Sequence, residues 1–198
     1  MTRAFDPQRP IPREVLEELV DAASRAPSAG KTQGWHVVAL AGADTARFWD
    51  HTLPVERRAG FAWPGLLDAP LLLLPLADPG AYVERYAEPD KRATGLGAGL
   101  DAWPVPYWTV DTSFAVMTLL LAAEARGLGA LFFGVFRGEA ELRTALAIPA
   151  ELQLLGAIAL GWPPSGADVG TRSGLSAGRR RRRPQEILHW GGWAGGSS

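Results

Sequence analysis

The sequence predicts a single α+β domain followed by a long extended C-terminal arm. Three observations support this. Helical apolar patterns alternate with about four strand-like apolar runs. The composition is that of an ordinary folded chain: 198 residues, 47% hydrophobic and 21% charged. From Pro163 onward the apolar periodicity stops, and glycine, serine, proline and arginine dominate.

Residues 13–23 form the clearest helix. Pro12 sits where helices start, and Val15, Leu16, Leu19, Ala22 and Ala23 fall on one face, with charges on the other. Pro27 ends it, and a polar loop over residues 28–34 leads to a strand at 35–40. Residues 43–52 read as a helix. Residues 69–76 read as a buried strand whose prolines, Pro70 and Pro75, limit it to pairing on one side. A short helix at 80–86 precedes a loop, 88–106, rich in glycine and proline, and loops that long are often functional. Residues 107–126 are apolar all round, which predicts a buried helix ended by Gly127 and Gly129. A strand at 130–136, a short helix at 138–147 and a strand at 152–160 complete the domain. The arm carries Ile187, Leu188, Trp190 and Trp193, an apolar cluster that suits wrapping around a second subunit.

Charge and composition exclude several functions. There are no cysteines, so thiolate metal sites, iron–sulfur clusters and a cysteine nucleophile are out. The histidines His36, His51 and His189 have no ligand spacing, and no metal is expected. The net charge of −1 gives no reason to expect nucleic acid as the main partner. Residues 1–12 lack a charged start followed by an apolar run, and no apolar stretch reaches the roughly 20 residues that span a bilayer. A cytoplasmic protein without a membrane partner is expected.

The catalytic inventory is poor. The chain lacks a nucleophile elbow, a Walker A loop and a dinucleotide fingerprint. An enzyme built this way needs an organic cofactor to carry its chemistry. Three segments bear on that. Arg3 alone reads as a solvated arginine. Residues 27–35 gather hydroxyls, an amide and an ammonium, and read either as a cofactor loop or as a plain helix–strand connection. The five arginines 179–183 read either as a solvated tail or as a phosphate grip, because guanidinium groups pair bidentately with phosphate oxygens. In an extended arm only alternate arginines face one side.

In order along the chain, these segments resemble the nitroreductase family. Residues 26–35, Ala-Pro-Ser-Ala-Gly-Lys-Thr-Gln-Gly-Trp, are similar to its Ala-Pro-Ser-x-x-Asn-x-Gln-Pro-Trp motif. Residues 2–7, Asp68-Ala69-Pro70, the helix at 111–123 with Gly127-Leu128-Gly129, Leu160-Gly161-Trp162-Pro163 and Arg182-Arg183-Pro184 add to the likeness. The family's Asn is Lys31 here and its Pro is Gly34.

The resemblance implies a three-layer α/β/α sandwich with a mixed, mainly antiparallel sheet. It implies a single domain over residues 1–198, with residues 164–198 as an arm over the partner of a homodimer. It implies FMN as cofactor, NAD(P)H as co-substrate and a small-molecule electron acceptor. Arg3, Arg180 and Arg182 would hold the FMN phosphate and ribityl chain. Ser28, Ala29, Lys31 and Gln33 of the partner would meet the ring edge, and Phe132, Phe133, Gly134 and Val135 would line the ring face. A backbone N–H at Gly134 or Val135 would approach flavin N5, the hydride acceptor, in a ping-pong cycle ending on a nitroaromatic or quinone. Trp103, Tyr107 and Trp108 read equally as a roof over the acceptor or as packing. Two other readings stay open: a substrate-specific biosynthetic flavoenzyme, and a non-catalytic flavin-binding module.

Overall fold

The computed structural model describes residues 1–164 and 178–193. They fall in two compact units, Met1–Ala167 and Asp168–Ser198. The strands of the first unit are Trp35–Ala41 (β1), Leu71–Ala77 (β2), Gly129–Phe133 (β3), Gln153–Leu154 (β4) and Ala157–Gly161 (β5). The helices are Arg13–Ser24 (α1), Thr45–Thr52 (α2), Val55–Arg58 (α3), Pro79–Ala87 (α4), Tyr107–Ala125 (α5) and Glu139–Ala145 (α6). The sheet runs β1-β2-β5-β3 with β4 beside β2, and every described pairing is antiparallel.

Strand alternation builds three layers. Leu71 and Leu73 of β2, with Ile158 and Leu160 of β5, face Leu19 and Ala23 of α1 and Ala115 and Leu119 of α5. Leu72, Leu74 and Leu76, with Ala157 and Ala159, face Phe48 and Trp49 of α2 and Leu142 of α6. The sheet therefore buries both faces, and the observed α/β/α sandwich is the predicted fold class.

Three expectations need correction. Prolines were expected to leave β2 paired on one side only, yet β2 is central, with β1 on one side and β5 and β4 on the other. Pro75 is tolerated because its missing N–H faces the gap between β5 and β4. There the Pro75 carbonyl accepts from Leu155 N at 3.1 Å. The run 152–160 is two strands, broken at Gly156, whose φ of 144° is closed to other residues. Helix α5 is not buried all round: Asp111, Thr112, Ala115, Val116 and Leu119 face inward, while Phe114, Met117 and Leu121 stay exposed.

The glycine- and proline-rich stretch 88–106 is not structureless. Three short 3-10 turns, Arg92–Thr94, Leu96–Ala98 and Leu100–Ala102, fold over α4. Gly97 permits the closest approach, since a Cβ there would lie 2.5 Å from Ala87 N. In the second unit Pro184–Glu186 forms one 3-10 turn. Residues 165–177 and 194–198 of the expected arm lie outside the described residues. Among the described residues no helix is long and apolar enough to cross a membrane.

Candidate active site

The connection between α1 and β1 has an unusual backbone. Gly30, Lys31 and Gln33 all lie in the left-handed region, with φ of 62°, 55° and 53°. For the two non-glycine residues this costs on the order of 1–3 kcal/mol each, and it persists only where the surroundings over-determine it. The surroundings do so. Within the loop, Gln33 N–H donates to Ser28 Oγ at 3.0 Å, Thr32 Oγ1 to Ala29 O at 2.6 Å, and Gln33 Nε2 to Ser24 O at 2.9 Å. Lys31 is exposed, and no carboxylate pairs with it among the described residues. With Ser24, Arg25, Ser28 and Gln33 it borders a cleft of about 550 Å³.

Two ties anchor the loop from outside. Ala29 N–H donates to Asp111 Oδ2 at 2.7 Å, and Arg85 Nε donates to Gly30 O at 2.9 Å. Asp111 is 5% exposed and also accepts from the Tyr82 hydroxyl at 2.8 Å. Burial, and then that hydrogen bond, push the Tyr82 phenol well above the ordinary tyrosine range, so it remains a donor. Arg85 is itself held by Asp90 through two bonds of 2.8 Å, and by Glu88 at 3.0 Å. The Arg85 hydrogen bond holds the Asp90 carboxyl down at about 2. None of Asp111, Tyr82, Arg85 or Asp90 was singled out from the sequence. The one available signal was Asp111, a carboxylate in an otherwise apolar helical run.

Trp103, Tyr107 and Trp108 fall beside this loop. Trp103 centres an aromatic cluster with Tyr82, Tyr86, Tyr107 and Trp108, its ring centroids 4.7–6.2 Å from theirs. Its side chain is 8% exposed and its indole N–H donates to Leu96 O at 3.0 Å. Trp103 is thus a packing residue that pins the 88–106 turns, while Tyr107 stands exposed at the start of α5.

The second group of site residues lies at the end of β3. Phe132 is exposed, whereas Phe133 turns inward and stacks on Trp49 with centroids 6.0 Å apart. The strand stops at Phe133, short of the expected 136. The N–H groups of Gly134 and Val135 donate to no acceptor among the described residues. Arg3 lies by the start of β3, at the opposite end of that strand, since Thr2 N–H donates to Ala130 O at 3.0 Å. Its guanidinium lies 5.2 Å from the Trp63 ring centroid.

The two groups sit at the same end of the sheet but at opposite edges, residues 28–33 before β1 and residues 132–135 after β3. Three strand spacings, roughly 14 Å, separate β1 from β3. One chain therefore does not bring its predicted site residues together.

In the second unit, Arg180 and Arg182 both converge on Glu186. Arg180 grips its carboxylate at 2.9 and 2.6 Å, and Arg182 donates to its carbonyl. Arg183 N–H completes the turn on the same carboxylate at 2.7 Å.

The donor set suits a flavin mononucleotide. Lys31 offers an unpaired cation for the ring edge, Phe132 an exposed apolar face, and Gly134 and Val135 unused backbone donors.

The comparisons with known proteins agree. The sequence model of the Nitroreductase family matches residues 1–162. An NADH dehydrogenase of Thermus thermophilus is 29% identical over 168 residues, covering 78% of this chain and 78% of that protein. A 5,6-dimethylbenzimidazole synthase of Rhodospirillum rubrum is 30% identical over 196 residues, covering 90% of this chain and 84% of that protein. In fold the chain is similar to a nitroreductase of Exiguobacterium sibiricum solved in complex with FMN. The TM-score is 0.69 at 17% identity, covering 95% of this chain and 91% of that one.

Proposed function

The chain belongs to the nitroreductase family and is an FMN-dependent NAD(P)H oxidoreductase; from that premise we propose that it works as a cytoplasmic homodimer reducing a small electron-poor acceptor, such as a nitroaromatic or a quinone. Bound FMN supplies the two-electron chemistry that links NAD(P)H to the acceptor. The chain's own residues bind, orient and set charge.

The observation that carries this reading is Lys31. Its ammonium is exposed and unpaired, on a loop held in a strained conformation by ties to two other elements. A fixed cation beside the flavin favours the more negative, reduced form. Ser28, Ala29 and Gln33 position that cation and offer polar contacts to the ring edge. Phe132 and Val135 supply the apolar ring face, and the free N–H of Gly134 or Val135 supplies a donor to the ring nitrogen. Arg3 is the phosphate candidate of the first unit, and Arg180 and Arg182 are those of the second. Tyr107 and Trp108 border the acceptor.

The split of the site supports the dimer. A loop at one edge of the sheet and a strand end at the other are joined when residues 28–33 of one subunit meet residues 132–135 of the next. The exposed Phe114, Met117 and Leu121 on α5 give that subunit an apolar surface to bury.

One relative supports a second reading, a substrate-specific biosynthetic enzyme. The 5,6-dimethylbenzimidazole synthase aligns with this chain over 196 residues, beyond the end of the family match at residue 162.

The test is the visible spectrum of the purified chain with added FMN, followed by anaerobic NADPH or NADH and then a quinone or nitroaromatic. A flavin band that bleaches with the nicotinamide and returns with the acceptor supports the first reading. A colourless protein that ignores FMN overturns it. Formation of 5,6-dimethylbenzimidazole, without general quinone turnover, moves the assignment to the second.

A further inference from the structure

We propose that Asp111 and Arg85 are the positioning residues of this site: together they clamp the peptide groups of Ala29 and Gly30 and so fix where Lys31 presents its ammonium. The proposal rests on the reading that residues 28–33 contact the flavin.

The two ties are chemically complementary. Asp111, on α5, accepts the Ala29 N–H at 2.7 Å, and Arg85, on α4, donates to the Gly30 carbonyl at 2.9 Å. A carboxylate takes the amide and a guanidinium takes the carbonyl, immediately before Lys31. Each anchor is itself held. Tyr82 donates to Asp111 at 2.8 Å, and Asp90 grips Arg85 with two bonds of 2.8 Å. The loop cannot slide along either anchor, because Gly30 and Gly34 are seated against α4. A Cβ on Gly30 would lie 2.9 Å from Tyr86 Cε2, and one on Gly34 would lie 2.7 Å from Tyr82 Cε2.

The investment is too specific for a simple connection. Asp111 is a buried carboxylate with no cation among its described partners. Burying such a charge is unfavourable unless it gains good hydrogen bonds, and here one of the two goes to the loop. Lys31 and Gln33 adopt left-handed backbones that a plain helix–strand turn does not require of non-glycine residues. Both costs serve one end, a lysine held at a fixed place.

The experiment is FMN titration of the cofactor-free, full-length chain as wild type, Asp111→Asn, Lys31→Ala and the double variant. Amide hydrogen exchange of residues 28–33 is measured alongside. Lys31→Ala is expected to weaken FMN binding about tenfold without changing exchange, since it removes a charge and leaves the ties in place. Asp111→Asn replaces the carboxylate with a weaker, neutral amide acceptor and is expected to speed exchange at Ala29 and to weaken FMN about tenfold; a variant in which neither changes overturns the proposal. In the double variant the two losses are expected not to multiply, because Asp111 acts through Lys31. Arg85→Met is the second route to the same loosening, since it removes the donor to the Gly30 carbonyl and keeps most of the alkyl stem. Losses that multiply in full, or an Asp111→Asn that speeds exchange with FMN affinity unchanged, reduce Asp111 to a structural role and overturn the proposal. If Lys31→Ala leaves FMN affinity unchanged while the wild type binds it, the flavin reading of the loop fails, and the proposal fails with it.

Discussion

Arg85 and Arg180 use the same device in two regions of the molecule. Each holds a carboxylate through two parallel N–H···O bonds, Arg85 on Asp90 at 2.8 and 2.8 Å and Arg180 on Glu186 at 2.9 and 2.6 Å. Their settings differ. The Arg85 side chain is 23% exposed, and its remaining Nε–H reaches a third element, the Gly30 carbonyl. The Arg180 side chain is 68% exposed, and its carboxylate lies six residues along the same segment. An exposed local pair contributes little to stability, because water and salt compete for both partners. The Arg85 pair serves a different end. It fixes a guanidinium so that one further donor can be spent on a loop. A salt bridge in this chain matters by whether its guanidinium also reaches a separate element.

The largest test of that contrast is deletion of the carboxylate at the buried end of the clamp. Asp111→Ala leaves the partly buried Ala29 amide and the buried Tyr82 hydroxyl without their acceptor. The expected loss is about 3 kcal/mol of unfolding free energy, read from urea denaturation. Glu186→Ala in the arm, where the turn is open to solvent, is expected to leave the urea midpoint of the body unchanged. Equal shifts for the two variants would remove the distinction between the regions.

The sequence revealed the elements better than the ties between them. Helix α1 and strand β1 are legible because their periods, 3.6 and 2, are written in adjacent residues. Strand β2 was misplaced at an edge because proline argues against central pairing, and only the tertiary structure shows that Pro75 falls between β5 and β4. The turns over residues 88–106 have no period, and they are organised by one indole, Trp103, seated among residues of α4 and α5. Asp111 was illegible for a similar reason. It stands 82 residues from Ala29 and 29 from Tyr82, so its local pattern is only an interruption of an apolar run. The motif at 26–35 located the site loop, but nothing in it told which elements hold the loop down. The arginine run was legible as a basic segment, yet its pairing with Glu186, three residues beyond its end, was not foreseen.

A smaller effect, of opposite sign, probes the strain in the loop. Lys31 has φ of 55°, which costs an L-residue roughly 1–2 kcal/mol. Glycine removes that cost but adds roughly 0.5–1 kcal/mol of unfolded-state entropy. Lys31→Gly is therefore expected to stabilise the chain by at most about 1.5 kcal/mol in urea denaturation while weakening FMN binding. A variant that loses stability and keeps its flavin would show that the left-handed backbone at this position serves folding and not the site.

The smallest effect separates the two forks by titration alone. The Arg85 hydrogen bond lowers the Asp90 carboxyl from the ordinary 3.8 to about 2. The Arg180 hydrogen bond, and then the Arg183 amide, lower Glu186 as well. A carboxyl lowered in the folded state binds fewer protons there than in the unfolded chain. Its contribution is therefore fully present above the unfolded value and is lost as pH falls through the folded one. For Asp90 that window runs from 3.8 down to about 2. Carboxyl carbon shifts followed by NMR across acid pH are expected to show Asp90 titrating near the bottom of that window. Arg85→Met is expected to return Asp90 to the ordinary range without moving Glu186, and Arg180→Ala to do the reverse, since each fork is closed within its own region. Because the Arg85 fork also carries the Gly30 carbonyl, only the first substitution is expected to broaden the amide signals of residues 29–33. Broadening of those signals by Arg180→Ala would mean that the bond to the Gly30 carbonyl is not what distinguishes the two arginines.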